Sequence, residues 1–147
     1  MTKEKVLEIL YKDMHTVSVG TLDDDGKPYV AFMDLMAADE SGIYVFTSAK
    51  KRLHRYMSNH EFVSIAAMTH TDDFFNSQMI TFNGRVENIG RDKLDGLLEK
   101  NPYLYKLFPS GSPEGIAGLD VFCMHDGELR YQDFSVKPFA DETFRLN

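Results

Sequence analysis

Lys50, Lys51, Arg52 and Arg55 place four positive charges in six positions, one residue after the hydroxyl pair Thr47-Ser48. No acidic residue interrupts them. Leu53, Tyr56 and Met57 follow at helical spacing, so residues 49–58 read as a short helix with one buried face. Thr47 and Ser48 are both suited to cap it, which puts Lys50, Lys51 and Arg52 in the first helical turn. That placement is unfavourable by itself. A helix N-terminus carries about half a positive charge, and cations there cost a few tenths of a kcal/mol each. A bound anion offsets the cost. A phosphate would take free backbone N–H groups, the Thr47 and Ser48 hydroxyls and charge-assisted contacts from the basic side chains. The plain alternative is a solvated charged face with no ligand.

The patch stands out against an acidic chain. The 147 residues carry a formal net charge of −7, so everything outside the patch carries −11. Such a body repels nucleic acid and anionic membrane, which excludes a general binder of either. No apolar run approaches the ~20 residues that a spanning helix needs, and none follows the N-terminus as in a signal peptide. The single Cys123 has neither a disulfide partner nor a CxxC mate. It lies in the apolar run Val121-Phe122-Cys123-Met124 and reads as a buried thiol in a reducing cytoplasm.

Other clusters carry less. The five histidines show no metal-binding spacing. His70, in the polar stretch after the fourth strand, could face a cofactor edge or simply be a solvated loop histidine. Asp23, Asp24 and Asp25 read as a hairpin turn, where Asp bonds locally. Phe74 and Phe75, in the polar stretch 69–77, read as a plug for one end of the fold. No GxSxG, P-loop or GxGxxG occurs.

The elements that must position these residues follow from periodicity. Residues 3–14 form a helix with Thr2 as a possible N-cap. Strands are expected over 16–22, 29–36, 43–47, 62–68 and 79–89, with Gly84 marking a bulge or a close backbone approach. Residues 91–100 form a helix that Asn101-Pro102 ends. Residues 109–118 are a surface loop. Asp126-Gly127 predicts a tight hairpin between strands 119–125 and 128–134. About six antiparallel strands with short flanking helices close most easily into a small barrel. The length suits one domain over 1–147.

The order of these elements resembles the pyridoxamine 5′-phosphate oxidase-like FMN-binding split-barrel family. The segment from Val17 through the acidic Gly turn to Pro28-Tyr29 resembles the family's opening. Phe46-Thr47 is similar to its aromatic-Thr strand end, and Lys51-Arg52 to its basic pair before a helix. Phe62 to Ala66, and Met79 to Val86 with its central Gly, resemble its next two strands. The likeness spans roughly residues 3–135.

The resemblance implies a six-stranded antiparallel split barrel that pairs as a homodimer, with FMN at the interface. Thr47, Ser48, Lys51 and Arg52 would hold the phosphate, with Lys50 as a further candidate. Ala31, Phe32 and Met33 would line the isoalloxazine, and Gln78 or Met79 would approach from the partner chain. The implied activity is hydride transfer through flavin N5 between a reduced nicotinamide or small organic substrate and an acceptor. Two departures point to a small relative rather than the oxidase proper. Ala31 stands where the oxidase has an arginine, and the tail from Lys137 lacks its arginine- and histidine-bearing substrate motif. The family also implies two alternatives: haem bound by His70 or His125, and a non-catalytic flavin sensor or carrier.

Overall fold

A computed structural model describes residues 1–107 and 116–147. The expected loop at 109–118 therefore lies largely outside the described residues. Helix α1 (Lys3–Glu8) starts with the Thr2 hydroxyl accepting from the Lys5 N–H at 3.2 Å, and continues as a π-helix over Ile9–Met14. The strands are β1 (Thr16–Leu22), β2 (Pro28–Asp34), β3 (Ala37–Asp39), β4 (Gly42–Ser48), β5 (Phe62–Met68), β6 (Gln78–Gly90), β7 (Leu119–Asp133) and β8 (Ala140–Leu146). Helix α2 (Arg52–Asn59) joins β4 to β5, and α3 (Leu94–Lys100) follows β6. Single 3-10 turns occupy Phe74–Asn76 and Pro102–Lys106.

All strand pairs are antiparallel, in the order β2-β1-β5-β6-β7-β4-β3. The long β7 is shared along one edge. Its first half pairs with β4 and its second half with β8, while β6 runs along the other side. The sheet curls around a core of Val17, Val19, Ile43, Val45, Ile65, Phe82, Phe122 and Leu129, sealed by Val6, Leu7 and Leu10 of α1 and the π-helix. A second cluster lies on the other face of β4 and β7, where Tyr44, Val121 and Cys123 meet Leu94, Leu97 and Leu98 of α3. β4 is thus apolar on both faces, which is why its sequence does not alternate.

The count of about six strands needs correction to eight. β3 is only three residues long and falls between the expected strands. β8 is built from the tail, whose polar first half hides it and whose Phe144 and Leu146 meet the core. The hairpin at Asp126-Gly127 is absent, because β7 runs straight through it. The two residues instead oppose the single residue Gly84, between the pairs Asn83↔Glu128 and Arg85↔His125, and form a bulge. Asp126 takes the positive φ of 50° that a turn would also require. Local chemistry therefore signalled a special backbone, and the unbroken pairing with β6 decided which kind. Gly84 meets its expectation in both senses: it sits at the bulge, and a Cβ on it would lie 2.8 Å from the His125 carbonyl.

Phe74 and Phe75 do not plug the barrel. Both are more than half exposed, with Phe74 resting against Phe134 at 4.7 Å between ring centres. No described helix is long and apolar enough to cross a membrane.

Candidate functional site

A cleft of about 790 Å³ opens between β2, the end of β4 and the start of α2. That volume is in the usual range for small-molecule sites of ~300–1,000 Å³. Ala31, Phe32 and Met33 line one wall, and Thr47, Ser48, Lys50, Lys51 and Arg52 line the other. Leu104, Leu107 and Gly118 complete it, and nothing in their local sequence marks them as part of a site.

The basic mouth is built differently from its sequence expectation. α2 begins at Arg52, not at residue 49 or 50, and Lys51 is its N-cap. Neither Thr47 nor Ser48 caps the helix. Ser48 closes a tight turn instead: its hydroxyl accepts from the Lys50 N–H at 3.2 Å and its carbonyl from the Lys51 N–H at 2.9 Å. Serine side chains compete with helices in this way. The outcome leaves the first turn of α2 with no side-chain cap. Its free N–H groups and positive dipole end face the region that Lys50, Lys51 and Arg52 surround.

Among the described residues, no carboxylate comes within 4.0 Å of Lys50, Lys51 or Arg52. Arg55 is different, since it is paired with Asp24 at 2.9 Å and is turned away to the β1–β2 hairpin. Arg52 leans over the Tyr29 ring at 5.6 Å, and Tyr29 packs edge-on against Tyr56. Thr47 is 6% exposed and pairs with Asp120 across β4 and β7. A Cβ at Gly118 would stand 3.3 Å from the Ser48 Oγ, so the glycine keeps this corner open.

Behind the mouth, His54 of α2 bonds the Asp120 carboxylate at 2.7 Å, and Asn88 donates to the same oxygen at 3.1 Å. The His54 bond holds the Asp120 carboxyl below its ordinary range. His54 also packs edge-on against Phe122. These contacts fix α2 against the sheet. Sequence reasoning missed them, because the partners are 66 residues apart.

Gln78 and Met79 lie elsewhere. The Gln78 carboxamide donates to Tyr131 Oη at 3.0 Å and faces Asp133. Met79 lines a second cavity of about 920 Å³ on the outer face of the sheet, together with Met68 and His70. The two cavities meet at Phe32, which is 81% exposed and lines both. His125 lines neither and sits 3.5 Å from Glu87.

An antiparallel sheet curled round one core, with a cleft where a basic turn enters a helix, defines a split-barrel protein. The chain belongs to the pyridoxamine 5′-phosphate oxidase family, whose sequence model matches residues 2–130. No curated protein matches it in sequence. Its fold is similar to that of a NimC/NimA family protein from Clostridium acetobutylicum, at 21% identity and TM-score 0.75 over 96% of this chain and 90% of that one. A heme-binding protein from Mycobacterium smegmatis is similar at 16% identity and TM-score 0.69, over 95% of this chain and 57% of that one. A FAD-binding protein from Mesorhizobium loti is similar at 15% identity and TM-score 0.65, over 89% and 95%. At these identities the likeness is one of fold.

Proposed function

We propose that the cleft binds FMN and that the protein is an FMN-dependent oxidoreductase acting as a homodimer. One observation carries the reading: Lys50, Lys51 and Arg52 surround an uncapped helix start at the mouth of an apolar-walled cleft, with no carboxylate paired to them among the described residues. A terminal phosphate would complete that arrangement through N–H groups, hydroxyls and cations together. One compact cluster suits one phosphate, which favours the mononucleotide over the dinucleotide. Ala31 and Met33 offer a flat apolar wall to a ring system. Bound flavin would supply hydride chemistry between a reduced nicotinamide or small organic substrate and an acceptor. The chain needs only to bind, orient and tune it. The family and a FAD-binding structural relative support this reading.

The dimer is supported by the outer face of β2, β1 and β5. Val30 is 66% exposed, Phe32 81% and Phe62 61%, more apolar area in one region than scattered surface residues present. A second copy covering this face would bring Met79, and the backbone around Gln78, towards the neighbouring cleft.

The purified protein is expected to show a flavin absorbance spectrum, or to gain thermal stability with excess FMN. A colourless protein whose melting temperature ignores FMN overturns the reading. FMN that stays oxidised under anaerobic reduced nicotinamide would make the protein a carrier or sensor. Haem is the second reading, favoured by His70 beside Met68 and Met79 in the second cavity. It predicts a Soret band that disappears in His70→Ala.

A further inference from the structure

Asp34 lines the cleft beyond Met33, and it ends a chain of short contacts. Its Oδ2 accepts from the Tyr103 hydroxyl at 2.7 Å. The same hydroxyl lies 2.7 Å from His15 Nε2. His15 Nδ1 lies 2.9 Å from the Tyr11 carbonyl and must donate to it, since a carbonyl only accepts. Thr16 donates to the other Asp34 oxygen at 2.6 Å.

The hydrogens in this chain can be counted. Tyr103 has one hydroxyl proton but two short contacts. With neutral His15 and ionised Asp34, one of those contacts would set two lone pairs against each other. One added proton satisfies both, in either of two arrangements. In the first, His15 donates from Nε2 to Tyr103, and Tyr103 donates to Asp34. In the second, protonated Asp34 donates to Tyr103, and Tyr103 donates to His15. The heavy atoms stand still while the proton changes ends.

We propose that His15, Tyr103 and Asp34 form a proton relay that delivers one proton to a group reduced in the cleft. The delivery rests on the flavin reading above; the relay itself does not. A substrate that receives a hydride gains two electrons and one hydrogen and still needs one proton. From the first arrangement the His15 Nε2 proton moves to Tyr103 as the Tyr103 proton moves to Asp34, which gives the second arrangement. Asp34 then releases that one proton to the reduced group and is left ionised. His15 is left neutral with its proton on Nδ1, and it recovers one from water, since its side chain is 26% exposed. Asp34 is the member that reaches the cleft; Tyr103 and His15 act through it.

The surroundings suit this role. Burial first, and the Asp34 carboxylate second, hold the Tyr103 phenol well above its usual value, so it passes protons without losing its own. The Tyr11 ring tilts over His15 at 5.5 Å, and the Lys100 ammonium covers the Tyr11 ring at 4.9 Å. His15 Nε2 is 3.8 Å from Asp34 Oδ2. His15 also holds φ 62° and ψ −54°, near the rare γ-turn region that strains any residue with a β-carbon. Such strain gathers at functional positions.

Nuclear magnetic resonance on cofactor-free protein tests the relay, with nitrogen-labelled histidine and carbon-labelled aspartate. In the wild type a slowly exchanging, downfield proton is expected that correlates with His15 Nε2 across the hydrogen bond to Tyr103. Tyr103→Phe keeps the ring and removes the link, so that proton should vanish while the amide spectrum stays dispersed as in a folded chain. If the variant does not fold, the wild-type spectrum decides alone, and a His15 Nε2 with no hydrogen-bonded proton correlation overturns the relay. Adding FMN is expected to move the Asp34 carboxyl signal. If FMN binds and Asp34 does not respond, delivery into the cleft is overturned. If FMN does not bind, the flavin reading fails while the correlated proton still establishes the relay.

Discussion

Arg55 and Asp24 form a two-pronged ion pair, in which Arg55 Nε and Nη2 donate to the carboxylate at 2.9–3.2 Å. The pair ties α2 to the acidic turn between β1 and β2. It also divides the four-cation patch, because Arg55 faces the turn while Lys50, Lys51 and Arg52 face the cleft. Arg55→Ala is therefore expected to leave FMN affinity nearly unchanged. Lys51→Ala with Arg52→Ala would remove the two charge-assisted contacts proposed for the phosphate, at ~1.5–3 kcal/mol each, and is expected to cost roughly 100-fold or more in affinity. Fluorescence titration of FMN measures both. Equal losses in the two variants would mean that the patch acts only through its net charge.

Gly127 tests the account of the bulge. A Cβ there would lie 2.3 Å from the Asn83 carbonyl and 2.6 Å from the Gly84 Cα, both backbone atoms that cannot swing aside. Gly127→Ala is expected to destabilise by about 1–3 kcal/mol, as overpacking does. Each kcal/mol lowers the melting temperature by roughly 2–4 °C in a chain of this size. A hairpin turn at this position would place the residue at the surface, and alanine there would cost far less. Calorimetry separates the two cases.

The same position shows where sequence reasoning stopped. Asp-Gly carries a turn signal, and Asp126 does take a left-handed backbone. What makes it a bulge is Gly84, more than forty residues away, through the β6–β7 ladder. The long-range partner, not the dipeptide, chose the outcome. The cleft walls were legible for a related reason. Ala31 and Met33 lie in the apolar run 29–33 and Thr47 ends a run of β-branched and aromatic residues, so both strands are legible, and the basic run is contiguous. Leu104, Asp120 and Gly118 reach the site by topology alone. The helix start was misread because Ser48 accepts from the Lys50 and Lys51 N–H groups and closes a turn, a choice between two local patterns that serine supports equally well.

Cys123 gives a cheap check of the second core. It is packed on β7 beneath Leu94 and Leu97 of α3, and burial pushes its thiol above the ordinary value. The thiolate is the reactive form, so the group is doubly protected. Aromatic disulfide reagents are expected to leave it unmodified in the native protein and to react fully in denaturant. Rapid native labelling at neutral pH would mean that α3 lifts from the sheet far more often than its packing implies.

Asp120 connects stability, pH and the site. His54 and Asn88 both bond its carboxylate, and the His54 contact is the main cause of its lowered pKa. A carboxyl depressed in the folded state contributes stability that is fully present above its unfolded value. That stability is lost as pH falls through the folded value. Asp120→Asn should therefore be less stable than the wild type near neutral pH. The gap should narrow once the pH drops below about 4, near the unfolded aspartate value. Urea unfolding across a pH series reads this directly, and a gap of constant size down to acid pH would sink the assignment. The same carboxylate sits opposite Thr47 in the sheet and grips α2 through His54. Its loss should loosen the helix that carries Arg52. FMN affinity is expected to fall together with stability at neutral pH, although Asp120 lies behind the mouth of the cleft.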